Sequence, residues 1–568
     1  KFDDHVFLNA MFVDRAQESR EFRMVSGKGL PGVFELQKHH WVYTQNIFLF
    51  PKIVFRVVTQ RGGWTPMPLF AQGTNNNCKV LLDICTKSYY HSKYDFVHQQ
   101  LQNCRWEKHE FSLGQTQSKK LKGHTMNISL SDHFTYKKLL RFTFPSIVMM
   151  ILTSIYGVVD GVFVSNFVGS EAFASINIIM PFLMILGAIG FMTGSGGSAL
   201  VALTFGIGNA KKAKEIFSLL VYVLIAVGFL FTVGGEILLA PMARLLGADE
   251  ILLPYCVRYG RIILLALIPF MLQNVFQSFL VVAERPQLGL LITIASGLTN
   301  MILDAYFIAV LRLGVVGAAA ATALSQSIGG LIPLLYFIFP NRSRLRLGRT
   351  RMDFSALLKT CTNGASEFMT NISMSIVNML YNWQLMRLSG SDGVAVYGVI
   401  MYVSFIFAAL FIGYSMGSAP IVGYHCGAGN KSELKNLLGK SFRLILTFQI
   451  ILTIAAEAGA PFLAGIFVRY NTHLLDMTVH AFRSYSISFL FMGFSIYASS
   501  FFTALNDGFV SAAISFCRTM IFETGAVIIL PFFLGVSGIW YSIIAAEFMA
   551  VCLSLFFLIR KAKKYGYA

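Results

Sequence analysis

The apolar part of this chain is written twice, 221 residues apart. Phe205-Gly206-Ile207-Gly208-Asn209, followed by lysines, returns as Cys426-Gly427-Ala428-Gly429-Asn430, again followed by lysine. Leu313-Gly314-Val315-Val316-Gly317 returns as Leu534-Gly535-Val536-Ser537-Gly538, Glu236 returns as Glu457, and Gly196 as Gly417. One offset held across four separated segments is not what chance similarity between greasy helices produces. It demands two structurally alike halves, and the apolar character of the text places both in a membrane.

Composition supports the placement. Of 568 residues, 55% are hydrophobic and only 13% charged, far from the quarter or so charged residues of a soluble domain. Apolar runs of 20 or more residues recur from about Phe142 to Ile559, each long enough to span a bilayer as a helix. The spacing predicts twelve helices, near 137–165, 172–205, 214–241, 252–283, 287–310, 315–339, 355–388, 394–425, 435–460, 475–505, 509–533 and 537–561, here called spans 1 to 12. The expected fold is an all-α polytopic membrane protein. Its twelve spans form two six-helix parallel repeats, an N-lobe over 126–345 and a C-lobe over 346–568, around a central cavity.

The net charge of +18 suggests nucleic acid at first sight, but its placement argues otherwise. The cations sit in short loops: Lys211-Lys212-Ala213-Lys214, Arg342 to Arg351, and Arg560 to Lys564. That is the positive-inside pattern, which puts both termini and the linker Pro340–Asp353 in the cytoplasm and leaves no nucleic-acid partner to expect. Eight cysteines without a CxxC pair support neither a disulfide framework nor a zinc site.

Residues 1–125 differ from the rest. They hold seven of the eleven histidines and three of the five tryptophans, without sustained periodicity. The expectation is a disordered leader or translated upstream sequence, with Met126 as the natural start. Cys78, Cys85, His98, Cys104 and His109 fit the spacing of no standard metal site.

Ionisable groups at mid-membrane are expensive and need a reason. Asp160 lies deep in span 1, within Tyr156-Gly-Val-Val-Asp160-Gly, and Asp304 lies in span 5, within Asn300-Met-Ile-Leu-Asp304. Tyr156 and Asp160 share a helix face by their i, i+4 spacing, as do Asn300 and Asp304. Thr322 of span 6 adds a hydroxyl. Two carboxylates, an amide and a hydroxyl form an all-oxygen set, suited to a hard cation such as Na⁺ or to a shared proton, and not to a transition metal. The alternative role, pairing with a buried Arg or Lys, finds few partners in spans 1 to 6.

These residues resemble the MATE (multidrug and toxic compound extrusion) family in its bacterial DinF-like branch. The resembling text is Pro145-Ser146, Tyr156 to Gly161, Phe163-Val164-Ser165, Gly169, Ala283-Glu-Arg285-Pro286, Asn300-x3-Asp304 and the duplicated Gly-x-Gly-Asn turns. It runs from about residue 137 to 565. The resemblance implies a cation site at Asp160, Asn300, Asp304 and Thr322, with Tyr156 beside it. It also implies a cavity lined by spans 1, 2, 7 and 8. From those spans come the substrate candidates Glu367, Asn177, Met180, Met149 and Asn378, with Met150, Met374 and Met401 as further methionines. Methionine suits promiscuous apolar binding, although a methionine on a membrane helix is more often core or lipid-facing.

The charges of the second half are not copies. Asp160 aligns with Tyr381, and the C-lobe carries instead Glu367, Arg518, Glu523 and Glu547. These read equally well as an internal salt-bridge network and as functional groups. The functional expectation is an H⁺- or Na⁺-coupled antiporter, not an enzyme and without cofactor. It would export cationic or amphipathic drugs or toxic metabolites by alternating access, as a monomer in a bacterial cytoplasmic (inner) membrane. The competing class is a lipid-linked precursor flippase, for which a strongly cationic cavity and extra helices would be expected.

Overall fold

A computed structural model describes residues 128–341, 343–469 and 471–567, and a short hairpin earlier in the chain. Contacts divide the chain into two units, Lys1–Gly123 and His124–Ala568. In the first, β1 (Ile53–Val58) pairs antiparallel with β2 (Trp64–Leu69), Ile53 opposite Leu69 and Val58 opposite Trp64. The expectations for the leader, for Met126 and for the Cys78/Cys85/His98/Cys104/His109 set lie outside the described residues.

The second unit is helical. Span 1 is α1 (Tyr136–Phe167), span 2 is α2 (Ser170–Gly206) and span 3 is α3 (Ala210–Leu245). Span 4 is α4 (Leu253–Leu265) plus α5 (Leu267–Val282), bent by 54°. Span 5 is α6 (Pro286–Asp304), prolonged by a π-helical turn over Ala305–Val310, and span 6 is α7 (Gly314–Ile338). α8 runs over Phe354–Gly427. At ~1.5 Å per residue its 74 residues would reach about 110 Å, more than two bilayers. It is broken at Gly390, with φ 63° and ψ −153°, into spans 7 and 8. Span 9 is α9 (Lys431–Val468). Span 10 is α10 (Thr472–Ser486) plus α11 (Phe489–Ala504), bent by 48°. Span 11 is α12 (Gly508–Phe516), a π-helical stretch over Cys517–Glu523 and α13 (Thr524–Leu534), and span 12 is α14 (Val536–Tyr565). Among the described residues that makes nine apolar helices, α8 counted as one, and two bent pairs. Dividing α8 at Gly390 brings the count to the expected twelve.

The duplication is written into the backbone. Gly208 and Gly429 both take positive φ, as do Gly314 and Gly535, and Gly169 and Gly390. These are 221-residue pairs in conformations open to glycine and costly for a side chain. The helix-ending hydrogen bonds repeat atom for atom: Gly208 N–H donates to Phe205 O and Gly429 N–H to Cys426 O, Asn209 N–H to Thr204 O and Asn430 N–H to His425 O. Each asparagine then caps the next helix, Asn209 Oδ1 accepting from Lys212 N at 3.0 Å and Asn430 Oδ1 from Glu433 N at 3.1 Å. Even the breaks in spans 4 and 10 correspond, at Ala266 and Ile487. The duplicated glutamates make comparable ties. Glu236 pairs with Arg261 at 3.5 Å, and Glu457 accepts from Ser486 Oγ at 2.6 Å.

Three clusters form the core. One draws on Val164 to Ala356, mostly in the first half, another on Val377 to Ile543, and a third joins Leu130 to Ile147, together with Val281, to residues from Phe411 to Tyr567 of the second half. The halves meet through spans 1 and 2 against spans 7 and 8, and the contact is reciprocal. A Cβ at Gly206 would collide with Tyr424 O, and one at Gly427 with Leu203 O. A Cβ at Gly196 would strike Thr360 O and Gly364 N, while one at Gly417 would press on Thr143 at 3.1 Å. Residue pairs that exchange under the offset are what a pseudo-two-fold axis between like surfaces requires. Lipid offers no hydrophobic drive to associate, so helices that must touch do so through small residues. The glycines singled out from sequence carry that seam.

Candidate functional site

Asp160 and Asp304 are brought together. Their carboxyl groups face each other within hydrogen-bonding reach across spans 1 and 5. Asp304 is fully buried. Among the described residues, no N–H or O–H group donates to its two oxygens or to Oδ1 of Asp160. Two carboxylates cannot sit so in low dielectric with both charges uncompensated. The arrangement is stable when a proton is shared or a cation intervenes.

The surrounding residues converge on the pair. The Tyr156 ring lies so close over Gly297 of span 5 that a Cβ there would overlap it. That packing holds span 1 against span 5 one turn from Asn300, which is itself buried. Span 6 is tied to span 5 by Ser296 Oγ donating to Ser325 O at 2.7 Å. Within span 6 Ser325 Oγ donates to Thr322 O at 2.9 Å, and the Thr322 hydroxyl is buried with no partner among the described residues. Tyr259 of α4 is buried beside both acids, and Tyr402 of span 8 approaches Asp160 from the other half. Its hydroxyl lies 3.3 Å from where a Gly161 Cβ would stand. Neither tyrosine was found from sequence. An aromatic in an apolar helix carries no signal of its own, and both contacts join distant segments.

A π-helical turn begins directly after Asp304, and another contains both Arg518 and Glu523. The fifth span of each half therefore carries a π-turn where its charges sit, a frequent mark of function. A π-turn brings residues five apart to neighbouring positions, so Arg518 and Glu523 both reach the interior. An α-helical reading of the sequence turns them away from each other.

A central cavity of about 390 Å³ opens between the halves. From span 1 it takes Met150 and Ser154, and from the second half Glu367, Asn371, Asn378, Tyr397, Met374, Met401, Arg518, Glu523 and Glu547. Asn378 Oδ1 accepts from Tyr397 Oη at 2.7 Å. Three sequence candidates do not line it. Met149 is buried in packing against Gly289, its sulfur 3.6 Å from the Cβ position there. Adjacent helical residues point about 100° apart, so Met150 takes the cavity and Met149 the core. Met180 packs on the core of the first half. Asn177 is exposed, its Nδ2 donating to Phe173 O at 2.9 Å. Gln277 and Asn274 of α5, unnoticed in the sequence, do line the cavity.

The second-half charges form a network. Arg518 Nε donates to Glu547 Oε1 at 2.8 Å and Oε2 at 3.0 Å, and Nη2 to Oε1 at 2.6 Å. Ser495 Oγ donates to Oε2 at 2.9 Å. Glu367 and Glu523 lie close enough to feel the guanidinium. Neither acid is among the residues lining this cavity, and span 1 serves both sites: Met150 and Ser154 face the cavity, Tyr156 and Asp160 the acid site.

Comparison with known proteins matches this arrangement. The MatE family model matches residues 145–306 and 368–526, one stretch in each half and more than half of the chain. The chain belongs to the MatE family. It is 24% identical over 366 residues to the multidrug export protein MepA of Staphylococcus saprophyticus, covering 63% of this chain and 80% of that protein. It is 24% identical over 429 residues to MepA of Staphylococcus haemolyticus, covering 74% and 92%. Among solved structures it resembles a MATE protein in complex with MaL6, at a TM-score of 0.73 and 20% identity over 77% of this chain and 98% of that one. An outward-facing multidrug resistance MATE family transporter of the MOP superfamily gives the same values. This MatE protein is a twelve-span membrane transporter and not an enzyme.

Proposed function

We propose that this MatE protein exports amphipathic and cationic drugs from a bacterial cell by alternating access, driven by H⁺ or Na⁺ bound between Asp160 and Asp304. The observation that carries the reading is the facing pair of carboxyls in the first half, three of whose oxygens are buried without a donor among the described residues, linked to the central cavity by span 1. The kinship with multidrug export proteins supplies the substrate class. Acid residues Glu367 and Glu523 beside Met150, Met374 and Met401 supply a surface for a greasy cation. Asn300 and Thr322 complete an oxygen set for a hard ion.

Span 1 is the coupling element. A proton or Na⁺ arriving from outside removes the repulsion between the acids and lets span 1 close on span 5, Tyr156 turning against Gly297. The same helix carries Met150 and Ser154, so the drug site changes shape with the ion site, and the linkage is reciprocal. Each tenfold ion gradient supplies about 1.4 kcal/mol, and each charge crossing 100 mV about 2.3 kcal/mol. The N-lobe, 126–345, and C-lobe, 346–568, move as bodies about the glycine seam, and the cationic loops favour a cytoplasmic side for both termini. A lipid-linked precursor flippase fits less well, because the cavity's one guanidinium is occupied by Glu547.

Dye efflux from proteoliposomes, with ΔpH and ΔNa⁺ imposed separately, tests the reading. One gradient should drive efflux in the parent and neither in D160N or D304N. Efflux by D160N at the parental rate would refute the ion site, and efflux driven by neither gradient in the parent would refute antiport.

A further inference from the structure

At the end of the molecule carrying Asn209 and Asn430, each half holds the segment that leads into the other. The segment before span 1 docks on span 9. Glu433 Oε1 accepts from Phe134 N at 2.9 Å, and its Oε2 meets His133 Nδ1 at 2.5 Å. One turn further, Asn436 Nδ2 donates to Phe134 O at 3.1 Å, and beyond it Lys440 Nζ donates to the same oxygen at 2.6 Å. Arg443 Nη1 donates to Tyr136 Oη at 3.2 Å.

The segment before span 7 docks at the corresponding positions of span 3, its own chain running the opposite way along the helix. Lys212 Nζ pairs with Asp353 Oδ2 at 2.6 Å. Thr350 Oγ1 donates to Glu215 O at 2.9 Å, Gly348 N to Ser218 Oγ at 3.1 Å, and Tyr222 Oη to Gly348 O at 3.2 Å. Lys212, Glu215 and Tyr222 are the 221-residue counterparts of Glu433, Asn436 and Arg443. The anchor is conserved in place and reversed in sign. The first half offers a lysine to an acid, the second an acid to a histidine and a peptide N–H. The span 1 segment is also fixed to its own half, where Glu284 Oε1 accepts from Leu130 N at 2.8 Å and pairs with Arg344 at 3.3 Å. It therefore moves with that half.

We propose that these two clasps are a gate between the halves. Both must release before the central cavity opens past the Gly206/Gly427 seam, and Lys212–Asp353 and His133–Glu433 set how often it does. The proposal rests on the alternating-access reading above. The two clasps differ in strength. Lys212 and Asp353 are 43% and 29% exposed, while Glu433 is 5% exposed. Loss of the first should enlarge the open population about threefold and loss of the second about tenfold or more.

The full chain in nanodiscs, its native cysteines replaced, carries spin labels at K214C and K435C. These are paired, exposed positions at the heads of spans 3 and 9. K212E and D353K should each add a longer-distance population, and K212E with D353K should return the distance distribution of the parent. An unmoved distribution in K212E, or a double variant no closer to the parent than the singles, overturns the proposal. Should K212E not assemble, E433Q decides on the other clasp, a longer-distance population supporting the gate and none refuting it. The distances are read without drug or gradient, so a failure here leaves the efflux assignment standing, and a failed efflux test leaves the clasps.

Discussion

Arg518 and Glu547 join spans 11 and 12 in the cavity wall, and their removal singly and together separates a structural tie from a merely adjacent pair. Glu547 is 1% exposed and takes three guanidinium hydrogen bonds, with Ser495 the one further donor among the described residues. R518M leaves that carboxylate buried with a single hydroxyl, and breaking a buried pair from one side costs about 3–5 kcal/mol. E547M costs less, about 2–3 kcal/mol on the same scale, because Arg518 is 16% exposed to the cavity and keeps Glu523 nearby. R518M/E547M removes both charges and replaces them with apolar volume, which is often near neutral. The singles therefore sum to about 5–8 kcal/mol and the double falls several kcal/mol short of that sum, a coupling well above the ~0.5 kcal/mol scatter of additive sites. For R518M, 3 kcal/mol is a factor of about 150 in the folded-to-unfolded ratio. Equilibrium unfolding in mixed micelles reads all four corners of the cycle. A loss under about 1 kcal/mol in R518M, or a double variant equal to the sum of the singles, would refute the argument that this pair holds the half together.

G390A should destabilise the protein by about 1–3 kcal/mol in the same assay, because φ 63° with ψ −153° is a conformation that side chains rarely adopt. G297A puts a methyl where the Tyr156 ring lies. It should cost about 1–3 kcal/mol and lower gradient-driven efflux, with Y156A in the same chain recovering the stability. G206A and G427A should enlarge the distance between labels at K214C and K435C to similar extents, since each drives a Cβ into a backbone carbonyl of the opposite half. Asp507 lies between spans 10 and 11. Burial alone would raise its carboxyl, but a hydrogen bond from Tyr565 Oη at 2.8 Å and the Lys561 ammonium at 3.0 Å outweigh burial and hold it below the usual carboxylate range. A depressed carboxyl contributes stability above its ordinary pKa and loses it as pH falls through the lowered value. D507N should therefore loosen the 559–567 tail to limited proteolysis at neutral pH, as acid below about pH 4 does in the parent.

Twelve spans and their approximate limits were legible because long apolar helices and turn glycines are local signals. Gly208, Gly314 and their partners announced turns that only glycine makes cheaply, and the structure places each at positive φ. The acids were legible for the opposite reason, as charges where lipid tolerates none. What could not be read was orientation about the helix axis. Met149 and Met150 are equivalent in composition and opposite in fate, and Asn177 and Met180 belong to a span whose cavity face is set by Phe191, Ser195 and Ser198. The π-turns were equally hidden. Nothing in Cys517–Glu523 distinguishes i→i+5 from i→i+4 bonding until the helix is packed. Tyr259 and Tyr402 became visible only when spans 4 and 8 were laid beside span 1.

The reversal of sign between the clasps bears on why the halves repeat in frame and not in charge. Two identical halves would respond identically to an ion, and a gate between them would gain no preferred partner. Here the first half holds two facing carboxyls beside a cavity whose wall is furnished with charge by the second half. Span 1 is shared by both, with Ser154 and Met150 on one side and Asp160 on the other. Under the proposed antiport an ion would act on one half alone, and the seam of paired glycines would convert that one-sided change into relative motion. Symmetry supplies two like surfaces that close against each other. The departures from it, at Asp160, Asp304, Arg518 and the Lys212/Glu433 exchange, supply a direction.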